Sequence, residues 1–379
     1  MNVLILSCNN GGGHNAVARA LQETFEAHGD ACCIRDCLAF ISDGVSDAVA
    51  RSHNFMYRYA PEAFDSSYRR SEQNPDFFKE HHSARRFIDL GKFHLGRFLL
   101  DGQYDVVVCT HVFAAMMLTA AKKKYDLPIV TGIVETDYTC TPGAADNDMD
   151  FHFVPADSLQ YQLMEQGVPA EHILVSGIPV RKALYERVVK EEAKRRLGLS
   201  PDHKHLLVMG GSMGCGPIPQ LLEELSCAAD RDVEISVICG SNGNMQRILF
   251  DEYKSYENIH IYGFVEDMSL MMDSADLLLT KPGGISTTEA AVKQLPMVLI
   301  NAVAGCEAYN LRFFVRNGGA VSEETAHELA EACVRLLQDD AKRESMAKAL
   351  SKISLANNAE IIYSAMKHLA EERSDAWTA

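Results

Sequence analysis

The chain has 379 residues, 47% hydrophobic and 23% charged, so it is long enough for two globular domains and too apolar for a disordered protein. Its 36 basic and 52 acidic residues give a formal net charge of −16, which argues against nucleic-acid binding because contacts to phosphates need a basic surface. The 11 cysteines lack zinc-type spacing, the start lacks a basic signal-peptide region, and no apolar run reaches the roughly 20 residues of a membrane span, so we expect a cytoplasmic protein.

Short β-rich runs alternate with helical patterns in the first half of the chain. Strands are predicted at Asn2–Ser7, Asp105–Thr110 and Pro128–Val134, with a helix from Ala16 to about His28. This alternation is typical of a parallel sheet with right-handed crossovers. Residues 43–100 show no convincing strand and are predicted to form a helical insert.

A second α/β series follows the motif GIPV at Gly177–Val180. A helix is predicted over Arg181–Leu197, strands over His205–Met209, Glu234–Cys239, His260–Gly263, Asp276–Thr280 and Met297–Ile300, and further helices over 325–337 and 341–373. The predicted fold is α/β, with two Rossmann-like doubly wound domains over residues 1–180 and 181–350 that face a central cleft. A C-terminal helix over 351–379 is expected to pack on the first domain. Ligands of such folds bind at the carboxyl ends of the strands.

The first predicted strand ends in the glycine loop NNGGGH (Asn9–His14). Glycines 11 to 13 allow close approach of a ligand to the backbone, and a helix N-terminus favours an electron-rich group. The helix dipole and any burial lower the pKa of His14, which suits a general base near neutral pH. Alternatively, the glycines form only a tight turn and His14 is a solvated cap.

Two further glycine loops follow predicted strands in the second half. GGSMG (Gly210–Gly214) suits a diphosphate but lacks the Gly-Lys-Ser/Thr of a P-loop. KPGGISTTE (Lys281–Glu289) offers hydroxyls and backbone donors at a helix start, with a carboxylate one turn later that matches the hydroxyls of a ribose. Alternatively, the first is a common turn and the second a capped helix.

Acidic residues after the third predicted strand are further candidates for a base. Glu135 and Asp137 lie at the carboxyl edge of the N-terminal sheet, although an Asp after a strand is often only a cap. The run Asp146–Asp148 imitates an Asp-x-Asp metal motif, but we interpret it as an acidic surface loop.

The helical insert differs in charge from the rest of the chain. Residues 51–100 contain nine basic and six acidic side chains, interleaved with ten aromatic ones. This pattern suits an interfacial surface on anionic lipid, and the alternative is a helical hairpin whose aromatic side chains fill the core. We expect both. Together with Gly12 and Gly13, the candidate acceptor and membrane residues are Phe55, Tyr57, Arg58, Tyr68, Arg69, Arg85 and Arg86.

Five motifs in one order carry a family resemblance. They are GGGH (Gly11–His14), GIPV (Gly177–Val180), GGSMG (Gly210–Gly214), KPGG (Lys281–Gly284) with Glu289, and GCEAYN (Gly305–Asn310) followed by NGGA (Asn317–Ala320). Over roughly residues 1–370 the chain resembles the monogalactosyldiacylglycerol synthase and processive diacylglycerol glucosyltransferase family. These proteins are relatives of the peptidoglycan glycosyltransferase MurG and have the GT-B fold.

The resemblance implies inverting transfer of a hexose from a UDP-sugar, UDP-glucose or UDP-galactose, to a lipid hydroxyl, without a metal or other cofactor. It assigns the uracil to Phe264 and Val265, the ribose to Glu289, and the sugar to Glu307 with Asn310. The diphosphate lies on the glycine loops, at Gly211, Ser212, Met213, Gly214, Gly283, Gly284, Ser286 and Thr287. His14 matches the family's loop histidine, and Asp137 its Thr-Asp segment. The family often has Cys-His-Pro where this chain has Cys140-Thr141-Pro142.

The leading hypothesis is therefore a UDP-hexose:diacylglycerol transferase, peripheral on the inner face of the cell membrane. The alternatives are a transferase for another lipid-linked acceptor such as a polyprenyl-diphosphate sugar, a sugar-nucleotide epimerase, and a UDP-sugar sensor without turnover. The base is either His14 or an acidic group, Asp137 or Glu135.

Overall fold

The computed structural model describes residues 1–9, 12–74, 77–79, 82–214, 216–301 and 305–378, with side chains except at positions 43, 54, 57–59, 61, 64, 67 and 376–378. The chain divides into two compact units. The first unit comprises Met1–Lys182 and the chain from Asn357 onward. The second unit comprises most of the chain between Ala183 and Ala356. Each unit contains one parallel six-stranded sheet.

The sheet of the first unit has the strand order β2-β1-β3-β4-β5-β6. Its strands are β1 (Asn2–Ser7), β2 (Ala31–Asp36), β3 (Val106–Cys109), β4 (Val130–Val134), β5 (Phe151–Val154) and β6 (Ile173–Val175). The helices in this part of the chain are α1 (Gly12–Ala27), α2 (Asp43–Tyr59), α3 (Pro61–Gln73), α4 (Ser83–Ile88), α5 (Lys92–Gly102), α6 (Val112–Tyr125) and α7 (Asp157–Glu165).

The central strands of this sheet are apolar along their whole length. β1 reads NVLILS and β3 reads VVVC, and the side chains of both are almost entirely buried. Such continuous apolar runs are typical of parallel strands covered on both faces by helices. All strands are parallel, but successive strands are added to one side of β1 up to β2 and to its other side from β3 onward. The carboxyl ends of β1 and β3 are therefore the switch point at which ligands of open α/β sheets bind.

The insert between β2 and β3 is helical, as predicted. Helices α2 to α5 span Asp43 to Gly102, and no strand occurs among the described residues of this stretch. Phe78 and Phe98 pack against the core of the first unit, whereas Phe87 and Phe93 are 42% and 49% exposed. The prediction that the aromatic side chains divide between core and surface is therefore confirmed.

The sheet of the second unit has the order β12-β11-β10-β7-β8-β9. Its strands are β7 (Lys204–Met209), β8 (Val233–Ile238), β9 (Ile259–Tyr262), β10 (Leu277–Thr280), β11 (Met297–Leu299) and β12 (Ala320–Ser322). The helices are α8 (Lys190–Arg196), α9 (Ile218–Ala228), α10 (Gly243–Tyr253), α11 (Met268–Ser274), α12 (Gly284–Lys293), α13 (Cys306–Arg316), α14 (Ala326–Gln338) and α15 (Asp340–Ile353).

The predicted helix over Arg181–Leu197 is wrong over most of its length, because α8 covers only Lys190–Arg196. The segment before it is tied to the second unit by its own polar groups. Arg187 donates to the carbonyl oxygen of Val292, and the backbone N–H of Val188 donates to Asp273. These contacts hold the backbone outside a helical conformation.

The last helix, α16 (Asn358–Thr378), belongs to the first unit. Its Tyr363 lies edge-on to Phe25 of α1 with ring centroids 5.3 Å apart, and Arg373 donates to the carbonyl oxygen of Ile129 just before β4. The predicted single helix over 341–373 is broken at Asn357, whose φ is +58°. No helix in the described part of the chain is both long and apolar enough to cross a bilayer.

Candidate functional site

His14 lies in the first turn of α1, which begins at Gly12 and not at Ala16 as predicted. Gly12 and Gly13 are therefore helical residues, and Gly11 lies outside the described residues. The Nδ1 atom of His14 is 2.8 Å from the carbonyl oxygen of Thr110 and 3.1 Å from Oγ1 of Thr136. Thr110 follows β3 directly, and Thr136 follows β4, so two strand ends hold the imidazole ring.

These contacts define which tautomer of His14 is present. A carbonyl oxygen only accepts hydrogen bonds, so Nδ1 carries the proton and Nε2 keeps its lone pair. Desolvation lowers the pKa of His14 to about 4, with the charge of His53 acting in the same direction and the hydrogen bond to Thr110 opposing it. The ring is therefore neutral at pH 7 and has a proton-accepting nitrogen.

A second imidazole lies against the first. The ring of His111 is edge-on to that of His14 with centroids 4.6 Å apart. His111 caps α6, because its Nδ1 accepts from the backbone N–H of Phe113 at 3.0 Å. Desolvation lowers its pKa, and the charges of His14 and His53 add to this effect. Sequence analysis missed His111, although its place directly after β3 and Thr110 was a usable signal.

Glu135 follows β4 and is only 2% exposed. Its Oε2 accepts from the hydroxyl of Thr141 at 2.6 Å and from the Thr141 backbone N–H at 3.2 Å. Its buried Oε1 has no hydrogen-bond partner in the part of the chain that the structure describes. Burial raises the pKa of Glu135 to about 7, against the Thr141 hydrogen bonds and with a smaller contribution from Asp137. Asp137 itself is half-buried.

The predicted acceptor and membrane residues of the insert differ in exposure. Phe55 is 62% exposed, Arg69 is exposed and paired with Asp65 at 2.7 Å, and Arg86 is exposed. Tyr68 is half-buried, and burial raises its pKa, with nearby acidic groups that include Asp137 and Glu135 adding to this. The side chains of Tyr57 and Arg58 lie outside the described residues.

Arg85 requires a correction, because it is only 3% exposed. Its Nε lies 3.1 Å from the carboxylate of Asp89, and its Nη2 donates to the carbonyl oxygen of Met116 at 3.2 Å. The helix α4 is short, and its inner face packs on α6, which draws this guanidinium inward. Arg85 is therefore a structural residue and not a surface contact for lipid.

The loop Gly210–Gly214 follows β7 and forms a turn in which the N–H of Gly214 donates to the carbonyl oxygen of Gly211. Both glycines have positive φ angles, +73° at Gly211 and +57° at Gly214. A Cβ at Gly214 would lie 2.1 Å from the carbonyl oxygen of Cys239, so only glycine fits there. Ser212 is exposed and Met213 half-buried. The next helix begins at Ile218, so no helix N-terminus directly follows Gly214.

The loop Lys281–Gly283 connects β10 to α12, which begins at Gly284. As in any helix, the first N–H groups have no acceptor within α12, and Ser286 lies half-buried in this turn. Thr287 is buried, and its hydroxyl donates to the carbonyl oxygen of Gly283 at 2.8 Å, so this hydroxyl is used within the helix. Glu289 is half-buried, one turn further along.

Lys281, to which sequence analysis gave no role, begins the second of these glycine loops, and its side chain extends toward Gly211 of the first. Its Nζ is 2.7 Å from Oε1 of Glu307, and the two side chains are 15% and 7% exposed. Asn310 is fully buried and donates from Nδ2 to the carbonyl oxygen of Pro282 at 2.9 Å, which fixes the loop. The position of Lys281 immediately after β10 was the signal that pointed to it.

The predicted uracil residues follow β9. Phe264 is 67% exposed and Val265 half-buried. A Cβ at Gly263 would lie 2.7 Å from the side-chain oxygen of Gln246, so α10 approaches this backbone closely. The exposed ring of Phe264 and the adjacent backbone are accessible to a ligand.

One group of potential metal ligands occurs among the described residues. Atoms of Cys8, Asp36 and Cys37 lie within 4.8 Å of one another. The Asp36 carboxylate already accepts from the N–H of Leu38 at 2.9 Å and from the hydroxyl of Ser46. A hydrogen bond with Cys8 raises the pKa of the Cys37 thiol, and burial adds to this. The group has its hydrogen-bond partners within the protein.

The run Asp146–Asp148 shows the pairing expected of a surface loop. Asp146 lies 2.5 Å from Nζ of Lys79, and Asp148 lies 3.4 Å from Nζ of Lys122. Asn147 between them is buried. The acidic side chains thus have lysine partners in the first unit.

Both halves of the chain match known protein families. Residues 14–180 match the monogalactosyldiacylglycerol (MGDG) synthase family, and residues 205–367 match the C-terminal domain of glycosyltransferase family 28. A processive diacylglycerol β-glucosyltransferase from Bacillus licheniformis is 28% identical over 370 residues, which cover 95% of this chain and 93% of the relative.

Two solved structures share the fold. MurG from Acinetobacter baumannii aligns with 97% of this chain and 99% of its own, with a TM-score of 0.62 and 16% identity. A UDP-GlcNAc 2-epimerase from Neisseria meningitidis, bound to UDP-GlcNAc, aligns with 97% and 100%, with a TM-score of 0.62 and 15% identity. At such identities the likeness shows the fold alone.

The two parallel sheets and the likeness to MurG show the GT-B fold, and the family matches and the curated relative show a glycosyltransferase. The resemblance to the monogalactosyldiacylglycerol synthase and processive diacylglycerol glucosyltransferase family, which the order of the motifs predicts, is therefore confirmed.

Proposed function

We propose that this enzyme transfers a hexose from a UDP-sugar to the hydroxyl group of a diacylglycerol-type lipid, with inversion at the anomeric carbon. The observation that carries the proposal is His14, a neutral imidazole whose Nε2 lone pair is fixed by the carbonyl oxygen of Thr110 at 2.8 Å. A base held in this way accepts the proton of an attacking hydroxyl at neutral pH. The full-length similarity to a diacylglycerol glucosyltransferase supports the lipid acceptor.

The second unit supplies the features that support a UDP-sugar donor. Its two glycine loops suit a diphosphate, Glu289 lies in the second turn of α12, and Phe264 offers an exposed ring after β9. A protein of the same fold binds UDP-GlcNAc. In the proposed complex Glu289 accepts hydrogen bonds from the ribose hydroxyls, and Glu307 accepts from the sugar hydroxyls.

The proposed reaction is a single displacement. Nε2 of His14 takes the proton of the lipid hydroxyl while its oxygen attacks the anomeric carbon on the face opposite the UDP group. The bond between that carbon and the β-phosphate oxygen breaks, and UDP leaves with the electron pair. Protein groups that carry positive charge or N–H donors stabilise the departing diphosphate, so we propose that no metal ion or other cofactor takes part.

A surface on the insert suits the membrane that contains such an acceptor. Exposed apolar side chains recur at Phe87, Leu90 and Phe93, exposed by 42%, 60% and 49%. Basic residues are interleaved with them, and Nζ of Lys92 lies 5.4 Å from the centre of the Phe93 ring. Apolar groups flanked by lysine and arginine bind at the interface of anionic bilayers. We propose that this surface docks on an anionic membrane face.

A donor-by-acceptor panel tests the proposal. The purified chain is incubated with UDP-glucose, UDP-galactose or UDP-GlcNAc and with vesicles that contain diacylglycerol or a polyprenyl-diphosphate sugar, and lipids and nucleotides are analysed by mass spectrometry. The proposal predicts a hexosyl diacylglycerol and an equal amount of UDP. Product only on the polyprenyl acceptor, interconversion of UDP-sugars without lipid product, or UDP binding without turnover would each refute it in favour of a stated alternative.

A further inference from the structure

The charge of the diphosphate site is the starting point. The chain has a formal net charge of −16, and the proposed donor adds a doubly charged diphosphate beside the carboxylate of Glu307. Like charges at close range raise the free energy of binding unless a cation lies between them. Among the residues that the motifs assigned to the donor, none carries a positive charge, so the predicted site lacks this cation.

The side chain of Lys281 lies where such a cation would be needed, beside both glycine loops. A Cβ built on Gly211 would lie 2.7 Å from Cε and 3.8 Å from Nζ of Lys281, and one built on Gly283 would lie 4.0 Å from Cε. The lysine stem therefore passes from one glycine loop to the other, across the space that two missing side chains leave. Its Cε atom thus lies over Gly211, the second glycine of the GGSMG loop, and the ammonium group lies about 1 Å farther from that position.

Glu307 holds the ammonium group in this place. The Nζ–Oε1 distance is 2.7 Å, and both side chains are largely buried. Glu307 lies in the first turn of α13, and Asn310, one turn later, binds the carbonyl oxygen of Pro282 beside Lys281. A buried pair of this kind persists only while each charge keeps a partner, so an incoming diphosphate competes with Glu307 for Lys281.

We propose that Lys281 is the diphosphate-binding cation and that it exchanges its partner when the donor binds. In the empty enzyme it pairs with Glu307. With donor bound it pairs with the diphosphate, and the released Glu307 carboxylate accepts hydrogen bonds from the sugar. During the reaction the same ammonium group stabilises the charge that develops on the leaving UDP. This inference rests on the proposed function, from which it takes the UDP-sugar donor.

Calorimetric titration with UDP and with uridine tests the proposal, since uridine lacks the diphosphate. Lys281→Met is expected to weaken UDP binding by roughly 10- to 100-fold and to leave uridine binding unchanged. Glu307→Gln is expected to strengthen UDP binding, because the competing carboxylate is gone, while turnover with UDP-glucose falls. Glu289→Ala, by contrast, is expected to weaken both ligands, because both contain the ribose.

Matched variants keep the test independent of folding. Lys281→Met leaves Glu307 buried without its charge partner, so the double variant Lys281→Met with Glu307→Gln is titrated beside it, and Lys281→Arg is expected to keep most of the UDP affinity. Lys204→Met, which removes a lysine paired with Asp340 in the same unit, is the control and is expected to bind UDP normally.

The outcomes separate this inference from the proposed function. If the wild-type chain binds UDP but the Lys281 single and double variants keep the wild-type ratio of UDP to uridine affinity, Lys281 is not the diphosphate cation and the proposed function stands. If Glu307→Gln weakens UDP binding, the partner exchange is refuted. If the wild-type chain binds neither UDP nor uridine, the proposed donor fails and this inference fails with it.

Discussion

The protonation state of His14 is set by its surroundings. An isolated histidine is partly charged at pH 7, but burial brings the pKa of His14 to about 4, and the Thr110 carbonyl keeps the proton on Nδ1. Replacing His14 with Ala removes the proposed base and is expected to lower kcat by about 10²- to 10⁴-fold. UDP affinity is expected to stay unchanged, because the ring lies in the first unit. Steady-state kinetics with UDP titration measures both.

His368 provides the matched control for this variant. It is an exposed histidine on α16 that faces Glu372 one turn away, and His368→Ala is expected to keep the wild-type kcat. A His14→Ala enzyme with undiminished kcat would transfer the role of base to Asp137 or Glu135.

The buried carboxyl of Glu135 gives a pH prediction. Its pKa is about 7 in the folded chain against 4.5 for an unperturbed glutamate, so its contribution to stability is complete below about pH 4.5 and is lost as the pH rises to about 7. Glu135→Gln removes the ionisable carboxyl, so the variant does not lose this stability as the pH rises. Relative to wild type, the variant is expected to gain up to about 3 kcal/mol between pH 4.5 and pH 8.

Thermal unfolding midpoints of wild type and Glu135→Gln, measured across that pH range, test this expectation. Glu165→Gln, at the exposed end of α7 in the same unit, is the control whose difference from wild type should not change with pH. A Glu135→Gln difference that is equally constant would mean that the carboxyl titrates normally.

Side chains within motifs were predictable from the sequence, and side chains whose role depends on tertiary neighbours were not. His14 and Glu289 stand next to glycine loops, where strand, loop and helix follow each other in the sequence. His111 has no such motif, and Lys281 begins the KPGG motif without any role being evident from that position. His111 gains its importance from a ring 97 positions away, and Lys281 from Glu307 and from the space above Gly211.

Strand prediction succeeded best where apolar runs are long, and it missed β5 (Phe151–Val154), a short strand that is mostly buried. The buried strands β1, β3, β4, β7 and β10 were predicted within one or two residues, because their apolar runs are continuous. The edge strand β2 (Ala31–Asp36) was missed, since it is mostly half-exposed and contains Arg35. The three-residue strands β6 and β12 were also missed. Their pairing comes from neighbours distant in sequence, which the sequence alone does not reveal.

The insert gives a prediction at the scale of one element. Replacing both Leu90 and Phe93 with Ser removes exposed apolar surface from the proposed membrane contact, and is expected to weaken binding to anionic vesicles by roughly 10- to 100-fold, given about 1.5–3 kcal/mol for each fully buried side chain. Vesicle flotation measures the bound fraction. The enzyme with both substitutions is expected to keep its UDP affinity.

A pair of exposed side chains elsewhere in the first unit serves as control. Tyr161 and Met164 on α7 are 67% and 43% exposed, and replacing both with Ser should leave flotation unchanged. Equal loss in the two double variants would mean that the vesicles bind exposed apolar groups without regard to their position.

For the whole molecule, the fold alone does not decide the function. A glycosyltransferase and an epimerase align with this chain at the same TM-score of 0.62. The sequence distinguishes a glycosyltransferase from an epimerase, because both halves match glycosyltransferase families and one relative is similar over almost the entire chain. The net charge of −16 likewise describes the average and conceals the basic, aromatic insert. The overall composition therefore does not reveal the local charge of the insert, on which the proposed membrane contact depends.

The configuration of the glycolipid product tests the central claim most directly, because it reports the acceptor, the donor and the stereochemistry together. The enzyme is given UDP-α-glucose and diacylglycerol vesicles, and the purified lipid is examined by proton NMR at the anomeric position. A glucosyl diacylglycerol whose anomeric proton shows the large coupling of a β linkage is the predicted result. An α-linked product, or no glucosyl diacylglycerol while UDP is released, would contradict the account.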